Sequence, residues 1–519
     1  MTRFQVPVKH MGKLITAAEA AEAIADGSTV ALTGSGGGLI EADVIHGAIE
    51  ERFKRTGHPR GLTIVHALGI GDGKERGLNR FAHEGLVSKV IGGHWTWSPR
   101  MQALAESEAI EAYTLPAGSI MLLMREIGAG RPGLLTHVGL GTFADPRYGG
   151  GACNSRAKDC LTELVTIGGE EWLRYKPIRL DAAIVRGSLG DTAGNVSLVH
   201  EAADLDAVAV AMAGHACGGK VFAQVSEIVG RGSLPARQVA LPGILIDHLV
   251  AAPDQPQTYL GRFDPAISGE AGSPPERPIP PPPAFSVRAV IARRAADEVP
   301  SGASVNFGFG IPGAIPGVLG TRGRLDTLWI TVEQGIHNGE LLDGEMFGAA
   351  RFPEAIVPST RQFDFYSGGG IDVAFLGMGE LDANGNVNVS RLGTKVVGPG
   401  GFVDIAQNAR KVVFCGTFDA KGTDLDLGGG RLTIRRQGEV QKLVPAVREI
   451  TFSADYARKV GQEVLYVTER AVFRLAPEGV ALVEIAPGVD LERDVLARMG
   501  FRPALPGSPA IMPAQHFHP

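Results

Sequence analysis

Cysteine is scarce in this sequence, and its scarcity excludes several kinds of protein. Only four of the 519 residues are cysteine, Cys153, Cys160, Cys217 and Cys415, and no two of them form a C-x-x-C pair. A disulfide framework or a structural zinc site needs more thiols at closer spacing. The sequence therefore predicts a reduced, cytoplasmic setting and no metal site.

The sequence also lacks an excess of positive charge and any long apolar run. Its formal net charge is -6 and its pI is about 6.1, so nothing electrostatic favours nucleic acid or an anionic membrane as a partner. No charge-free apolar stretch of ~18 residues is found, and no secretory core near the N-terminus. These absences predict small-molecule partners, with no nucleic acid and no membrane.

Glycine, by contrast, is abundant at 71 residues, about twice the usual ~7%. Most glycines follow apolar runs, which is typical of turns between strands and helices. The strand predicted over 28–33, for example, is followed by the glycine loop Gly34–Gly38 and then by a predicted helix. Helices and strands alternate in this way along the chain, so the predicted fold class is α/β with mostly parallel sheets.

Part of the sequence repeats itself. The segment 180–196 resembles 371–387 at a constant offset of 191 residues, and 62–69 resembles 328–335 at an offset of 266. A chain of this length exceeds one hydrophobic core. Repetition on this scale indicates two similar open α/β domains related by an internal pseudo-repeat rather than a solenoid.

A proline-rich segment, 273–283, separates the two halves. Its prolines permit neither a helix nor an inner strand, so it is predicted to be an extended, semi-rigid linker. A proline-rich recognition site is the alternative interpretation. The predicted domains are therefore 1–272 and 284–519, joined by this linker.

One carboxylate follows a predicted buried strand of the second half. The run 328–332 is apolar and β-branched, and Glu333, Gln334 and Gly335 come directly after it. In open α/β sheets, reacting groups lie beyond the carboxyl ends of strands. Glu333 is therefore a candidate catalytic residue, and a solvent-exposed glutamate is the alternative. In the repeat, Ala67 takes this position, so only the second half carries the carboxylate.

Two glycine loops of the second half are candidates for binding phosphate. The segment 308–313 has the pattern G-x-G-x-x-G after a predicted strand, and 398–402 is a second glycine loop before a predicted helix. Backbone N–H groups at such turns can bind pyrophosphate. A nicotinamide cofactor would explain the first loop but leaves the second without a role. Together with Glu333, the loops favour a long ligand that carries phosphate.

His94 lies between two glycines and two tryptophans in the segment 92–97. A catalytic role is one hypothesis for it. A structural histidine held by a hydrogen bond is the favoured one.

From about Val8 to Gly500 the sequence resembles the family I coenzyme A-transferases of the fused two-half type, which act on acetate, propionate and 3-oxoacids. The resemblance is carried by an E-x-G motif at Glu333–Gly335 and a G-x-G-G-F motif at Gly398–Phe402. It is also carried by the stretches 72–74, 83–85, 92–95 and 468–473.

The resemblance implies roles for individual residues. Glu333 would attack the acyl-CoA, and Gly139 would belong to the oxyanion hole. The residues implied to contact CoA are Gly308, Phe309, Gly310, Ile311, Pro312, Gly377, Gly398, Gly400, Gly401 and Phe402. The sequence departs from the family pattern at Ala117, where glutamine is expected in the oxyanion hole.

The resemblance also implies a reaction. CoA would move from an acyl-CoA to a short-chain carboxylic acid, such as acetate, propionate, butyrate or a 3-oxoacid, through a glutamyl-CoA thioester. CoA would be a substrate, with no tightly bound cofactor. An acyl-CoA hydrolase and a weakly active, CoA-binding regulatory protein are the alternatives. The family further implies a homo-oligomer, a dimer or a tetramer. A separate hypothesis is that substrate lies between the halves, with Gly139 and the loop Gly34–Gly38 of the first half near the acyl group.

Overall fold

The computed structural model describes residues 13–272, 274 and 276–519. Each half of the chain forms a ten-stranded sheet with helices packed against it. The elements of the first half are β1 (Lys13–Ile15), α1 (Ala17–Glu22), β2 (Thr29–Leu32), α2 (Asp43–Thr56), β3 (Leu62–His66), β4 (Val87–Gly92), α3 (Pro99–Glu106), β5 (Glu111–Thr114), α4 (Ala117–Gly128), β6 (Leu134–Thr136), β7 (Thr162–Ile167), β8 (Glu170–Tyr175), β9 (Ala182–Asp191), β10 (Val196–Ser197), α5 (Ala207–Ala216), β11 (Lys220–Val229), β12 (Val239–Leu241) and β13 (His248–Ala251).

The second half has more short strands. Its elements are α6 (Val287–Ala296), β14 (Ser304–Phe307), α7 (Ile315–Thr321), β15 (Trp329–Val332), β16 (Ile336–His337), β17 (Glu340–Leu341), β18 (Ala350–Arg351), β19 (Ala355–Ile356), α8 (Ser359–Ser367), β20 (Val373–Gly377), β21 (Glu380–Leu381), β22 (Val387–Asn388), β23 (Arg391–Leu392), β24 (Lys395–Val396), α9 (Phe402–Asn408), β25 (Lys411–Cys415), β26 (Asp419–Ala420), β27 (Asp424–Gly428), β28 (Arg431–Arg436), β29 (Val440–Gln441), α10 (Ala454–Lys459), β30 (Glu463–Val467), β31 (Ala471–Ala476), β32 (Gly479–Ile485) and β33 (Ala510–Ile511).

The two sheets share a parallel core, which confirms the predicted α/β class. The first sheet has the order β1-β13-β11-β9-β2-β3-β4-β5, with β10 paired to β9 and β12 paired to β10 outside this path. The second has the order β19-β16-β15-β14-β20-β25-β30-β31-β32-β33. Neighbouring strands are parallel along β15-β14-β20-β25-β30 of the second sheet. They are also parallel along β3-β2-β9-β11-β13 of the first sheet. The repeat therefore superimposes β3 on β15, β2 on β14, β9 on β20 and β11 on β25.

The repeat extends to individual hydrogen bonds. Asp181 Oδ2 accepts from the Thr29 N–H at 2.9 Å, and Asp372 Oδ2 accepts from the Ser304 N–H at 2.9 Å. Each aspartate precedes the central strand, β9 or β20, and ties it to the neighbouring strand. The offset of 191 residues thus relates side chains with the same structural task.

Helix α4 lies between the halves. Its residues are buried almost all round, including Ile120, Leu122, Leu123 and Ile127. It packs against α5 of its own half and against α8 and α9 of the second half. A helix that is apolar all round is a core helix, so the two halves share one hydrophobic core here.

The described part of the linker runs without helix or strand along the second half. The Arg277 guanidinium donates to the carbonyl oxygens of Leu325 and Leu328 at 3.0 and 3.2 Å. A side chain at Gly320 would place its first carbon 2.2 Å from Ile279 Cγ2, so the linker packs closely on α7. No helix among residues 13–272, 274 and 276–519 has the length and apolar content needed to cross a bilayer.

Candidate active site

Glu333 follows β15 directly, at the carboxyl end of the second sheet. Its side chain is half-buried, so the alternative of a solvent-exposed glutamate is wrong. Gly335 has φ +91°, and a side chain there would place its first carbon 1.8 Å from the Val357 carbonyl oxygen. Only glycine permits this turn. The turn ends β15 immediately after Glu333 and leaves its carboxylate at the edge of the sheet.

The Glu333 carboxylate lies against the second glycine loop. The Gly401 N–H donates a hydrogen bond to it, and Gln334 Nε2 donates to Oε1 at 3.4 Å. A side chain at residue 401 would place its first carbon 1.8 Å from Glu333 Oε2, so the carboxylate fills space that glycine leaves free. Burial raises the pKa of Glu333 to about 7, although the two hydrogen bonds lower it. A poorly solvated carboxylate of this kind suits a nucleophile.

The second glycine loop also joins the halves. The Gly400 N–H donates to the Gly93 carbonyl at 2.9 Å, and the Gly400 carbonyl accepts from the Ala117 N–H at 2.9 Å. The Trp95 N–H donates to the Val397 carbonyl at 2.8 Å. Gly398 likewise donates its N–H within the protein, to the Ser390 carbonyl. The contact of this loop with CoA stays a prediction. The structure shows that the loop connects the two halves and that Gly401 makes room for the Glu333 carboxylate.

The first glycine loop lies at an open edge. Gly308 donates to the Phe375 carbonyl at 2.8 Å, and the Phe309 side chain is 55% exposed. Ile311 and Pro312 continue from this loop into a single helical turn. Because β14 and β20 are parallel neighbours, this loop and Gly377, the last residue of β20, meet at one end of the sheet.

Space remains at this edge beside Gly377, where a side chain would contact nothing within 4 Å. Gly310 has φ +87° and only an arginine side chain near its Cβ position. Phe402 differs from these residues because it is buried in the core, stacked on Phe414 at 5.7 Å. The open edge therefore brings together Gly308–Pro312 and Gly377, and leaves Phe402 outside it.

Gly139 contacts the second half. Its N–H donates to Gln407 Oε1 at 2.6 Å, and Gln407 Nε2 donates to the Leu140 carbonyl at 2.9 Å. Gly139 has φ +99°, and a side chain there would place its first carbon 2.5 Å from the Tyr175 hydroxyl. The glycine is therefore required, and its N–H is already engaged by α9. Its place in an oxyanion hole stays a prediction.

Ala117 is the first residue of α4 and is fully buried. The next two residues donate to Asp404 of α9, Gly118 through its N–H at 3.1 Å and Ser119 through its hydroxyl at 3.3 Å. Burial raises the pKa of Asp404 to about 8, and the negative charge of Glu333 raises it further. Sequence reasoning missed Asp404, because its importance comes from a contact across 286 residues of sequence.

His94 belongs to the segment that pairs with the second glycine loop. Its side chain is half-buried, and burial lowers its pKa to about 4, helped by the neighbouring His66. Among the residues the structure describes, none forms a hydrogen bond with its ring. The hydrogen bond expected of a structural histidine is thus not found within the described residues, and the choice between a structural and a catalytic role stays a prediction.

A cavity of about 390 Å³ lies in the first half, lined by residues that include Glu41, Arg186, Gln224 and Tyr259. Beside it, Glu41, Asp43 and His46 are close enough to share an ion. Both oxygens of Asp43, however, already accept from Arg80, at 2.6 and 2.8 Å. We therefore assign no metal to this cluster.

Comparison with known proteins agrees with this geometry. The family model described as Coenzyme A transferase matches residues 14–252. The chain is 39% identical over 496 residues to the acetate CoA-transferase YdiF of Escherichia coli, covering 95% of this chain and 92% of that one. It is 41% identical over 505 residues to the caffeate CoA-transferase of Acetobacterium woodii, covering 95% of each.

A solved structure agrees as well. The acyl-CoA transferase YdiF from E. coli O157:H7, determined as a thioester complex with CoA, superimposes with a TM-score of 0.92 at 38% identity, covering 98% of this chain and 96% of that one. The fold and the strand-end carboxylate define an α/β enzyme with two pseudo-equivalent halves. The chain belongs to the coenzyme A transferase family, in its fused single-chain form.

Proposed function

We propose that the protein transfers CoA from an acyl-CoA to a carboxylic acid, with Glu333 as the covalent nucleophile. The observation that carries the proposal is the Glu333 carboxylate, half-buried at the end of β15 and held by the Gly401 N–H. The relatives whose names specify acetate and caffeate support this class of reaction. Acetate, propionate, butyrate or a 3-oxoacid is the proposed acid.

The first step forms a mixed anhydride. The ionised Glu333 carboxylate adds to the thioester carbonyl, the carbon–sulfur bond breaks, and CoA leaves as a thiolate. The thiolate then attacks the glutamyl carbonyl of the anhydride. The anhydride carbon–oxygen bond breaks, the original acyl group leaves as a free carboxylate, and Glu333 becomes a glutamyl-CoA thioester.

The acceptor acid reverses these steps. Its carboxylate attacks the glutamyl-CoA thioester and displaces CoA thiolate, which then attacks the acyl carbonyl of the new anhydride. Glu333 is regenerated as a carboxylate, and no proton, oxidant or metal is consumed. Hydrolysis of the anhydride competes with this reaction, so exclusion of water is needed. In this proposal the two halves, which meet at Gly400, close around the reacting atoms.

The open edge next to Glu333 is the proposed path of CoA. Gly308–Pro312 and Gly377 offer a glycine-rich surface beside the strand that carries Glu333. Binding energy from the long CoA tail, realised away from the reacting atoms, can lower the barrier at the thioester. CoA is thus a substrate in this proposal, without a tightly bound cofactor.

The decisive experiment is chemical trapping. The protein is incubated with acetyl-CoA, treated with hydroxylamine or borohydride, and digested, and the modified peptide is identified by mass spectrometry. Modification of Glu333 is the expected result. A label on another residue, with none on Glu333, would disprove the proposal.

The remaining proposals concern assembly and location. The domains 1–272 and 284–519 are proposed to act as one site, so neither half alone should transfer CoA. The relatives include separate subunits, such as the acetate CoA-transferase subunit alpha of E. coli, 26% identical over 46% of this chain and 97% of that subunit. A cytoplasmic homo-oligomer, a dimer or a tetramer, is proposed as well, and light scattering measures the number of copies.

A further inference from the structure

The side chains of Glu333 and His94 face the same side of Gly400. The position of a first side-chain carbon at residue 400 lies 3.8 Å from Glu333 Oε1 and 3.9 Å from His94 Cδ2. Both distances are ordinary contact distances. Because residue 400 is glycine, no protein atom fills this point. That point lies within bonding distance of the Gly400 Cα, so a ligand atom must lie farther out, on the side of Gly400 that both Glu333 of the second half and the imidazole of the first half face.

Four backbone N–H groups at the junction of the halves are already engaged within the protein. The Ala117 N–H donates to the Gly400 carbonyl, and the Gly400 N–H donates to the Gly93 carbonyl. Gly118 donates to Asp404, and the Gly139 N–H donates to Gln407. The oxygen that becomes negative when a carboxylate adds to a thioester needs at least one hydrogen-bond donor. With these four N–H groups engaged, a side chain is the donor to consider.

The imidazole of His94 is held in a fixed orientation. Its Nδ1 lies 2.5 Å from the position that a first side-chain carbon would take at Gly69, so this ring edge packs over that glycine. The opposite edge, with Cδ2 and the adjoining Nε2, is the one toward Gly400. The backbone is fixed too, because the Trp95 N–H donates to the Val397 carbonyl at 2.8 Å.

A neutral imidazole is the useful form here. An imidazolium beside Glu333 would pair with the carboxylate and weaken it as a nucleophile, whereas a neutral ring can donate one N–H and leave the charge of Glu333 in place. Burial and the nearby His66 lower the pKa of His94 to about 4. The ring is therefore neutral wherever Glu333 is ionised.

We propose that His94 is a catalytic residue whose Nε2–H donates a hydrogen bond to the acyl carbonyl oxygen as Glu333 attacks it. This inference rests on the proposed function of Glu333. It also accounts for Ala117, whose methyl group lies against the Cβ position of Gly93 at 3.1 Å and contributes no donor. His94, one residue beyond Gly93, supplies the donor instead.

The test compares two amides at position 94. His94→Gln places its amide nitrogen near the position of Nε2, whereas His94→Asn places its nitrogen near Nδ1. His94→Ala removes both. The rate of glutamyl-CoA formation is measured by rapid quench with acetyl-CoA, together with the KM for acetyl-CoA and the melting temperature.

Loss of the donor is expected to slow thioester formation by roughly 10²–10³-fold in His94→Ala and His94→Asn. His94→Gln should form the thioester at least tenfold faster than His94→Ala. In all three variants the KM for acetyl-CoA should stay within about twofold of that of the unsubstituted protein. Equal rates for all variants, or a better rate for His94→Asn than for His94→Gln, would overturn the proposal. Failure of the proposed function is distinguished by trapping on the unsubstituted protein, because then no label appears on Glu333 at all.

If the variants do not fold, the unsubstituted protein provides a second measurement. Protein labelled with ¹⁵N-histidine is mixed with a non-cleavable ketone analogue of acetyl-CoA. A change in the Nε2 chemical shift of His94, absent with CoA alone, supports the hydrogen bond. An unchanged shift at saturation refutes it.

Discussion

The two halves use the same positions of the sheet in opposite ways. Arg186 of β9 is paired in register with Gln224 of β11, and 191 residues later Gly377 of β20 is paired with Cys415 of β25. In the first half, Arg186 fills the position and forms a buried ion pair with Glu201 at 2.9 Å. In the second half, Gly377 leaves the position open.

The carboxyl end of β3 and β15 shows the same contrast. Ala67 is buried beyond β3, whereas Glu333 stands half-buried beyond β15. At these matched positions the first half carries a buried ion pair and an alanine, and the second half carries an open glycine and a carboxylate. The same scaffold thus carries an alanine at the end of β3 and the candidate nucleophile at the end of β15.

Removal of the nucleophile is the strongest test of this contrast. Glu333→Ala should reduce transfer to the uncatalysed background, because it removes the carboxylate that forms the anhydride. Glu333→Asp should retain a trace, since a shift of about 1 Å can cost ~10²-fold. Initial rates with acetyl-CoA and propionate measure both. Glu345→Gln, at an exposed glutamate, is the control. Substantial transfer by Glu333→Ala would show that the second half does not differ from the first in carrying the nucleophile.

The stability of the protein should depend on the buried ion pair between Arg186 and Glu201 in the first half. Arg186→Met leaves Glu201 buried without its partner, and breaking such a pair costs about 3–5 kcal/mol. Urea unfolding measures the loss. Arg435→Met breaks an exposed ion pair with Asp426 and should cost at most ~1 kcal/mol. Equal losses in the two variants would mean that the filled position does not stabilise the first half.

The glycine that cradles the carboxylate should tolerate no side chain. Gly401→Ala puts a carbon 1.8 Å from the present position of Glu333 Oε2, which is far closer than a non-bonded contact. The carboxylate must therefore move by about 1 Å or more, and transfer should fall by roughly 10²-fold. Gly507→Ala, where a side chain meets nothing within 4 Å, is the matched control. A fully active Gly401→Ala would show that Glu333 reacts from another position.

The open position can be filled with the residue of the other half. Gly377→Arg should raise the KM for acetyl-CoA roughly tenfold or more, a loss of about 1.4 kcal/mol or more, because the guanidinium occupies the proposed path of CoA. Gly377→Ala should change the KM little, since the methyl group has room. Steady-state kinetics of the folded variants measure both KM values. An unchanged KM in Gly377→Arg would show that CoA does not pass beside Gly377.

The smallest expected effect is that of pH. Burial raises the pKa of Glu333 to about 7, and only the ionised form attacks, so kcat/KM should rise with pH. The ionised share increases about tenfold between pH 6 and pH 8 for such a group. A profile already flat above pH 5.5 would indicate an ordinary, well-solvated carboxylate at the end of β15.

Sequence reasoning succeeded where the signal was local. The α/β class, the repeat at 191 residues and the strand-end position of Glu333 all follow from short apolar runs and the residues that end them. It failed where the partner is distant in sequence. Asp404 under α4 and the bridge from Gly400 to Gly93 depend on how the halves meet, which no local pattern records. His94 was noticed, but its free ring edge could not be anticipated.

Helix α4 has a consequence for synthesis on the ribosome. The helix is apolar on nearly every side, and its covers α8 and α9 belong to residues 359–408. At 5–20 residues per second, roughly 7–27 s separate the emergence of the first half from that of α9. During this interval the nascent first half carries an uncovered apolar helix, a surface prone to aggregation. The first half thus cannot bury α4 fully until the second half is synthesised, and we expect chaperones to bind the nascent chain mainly during this interval.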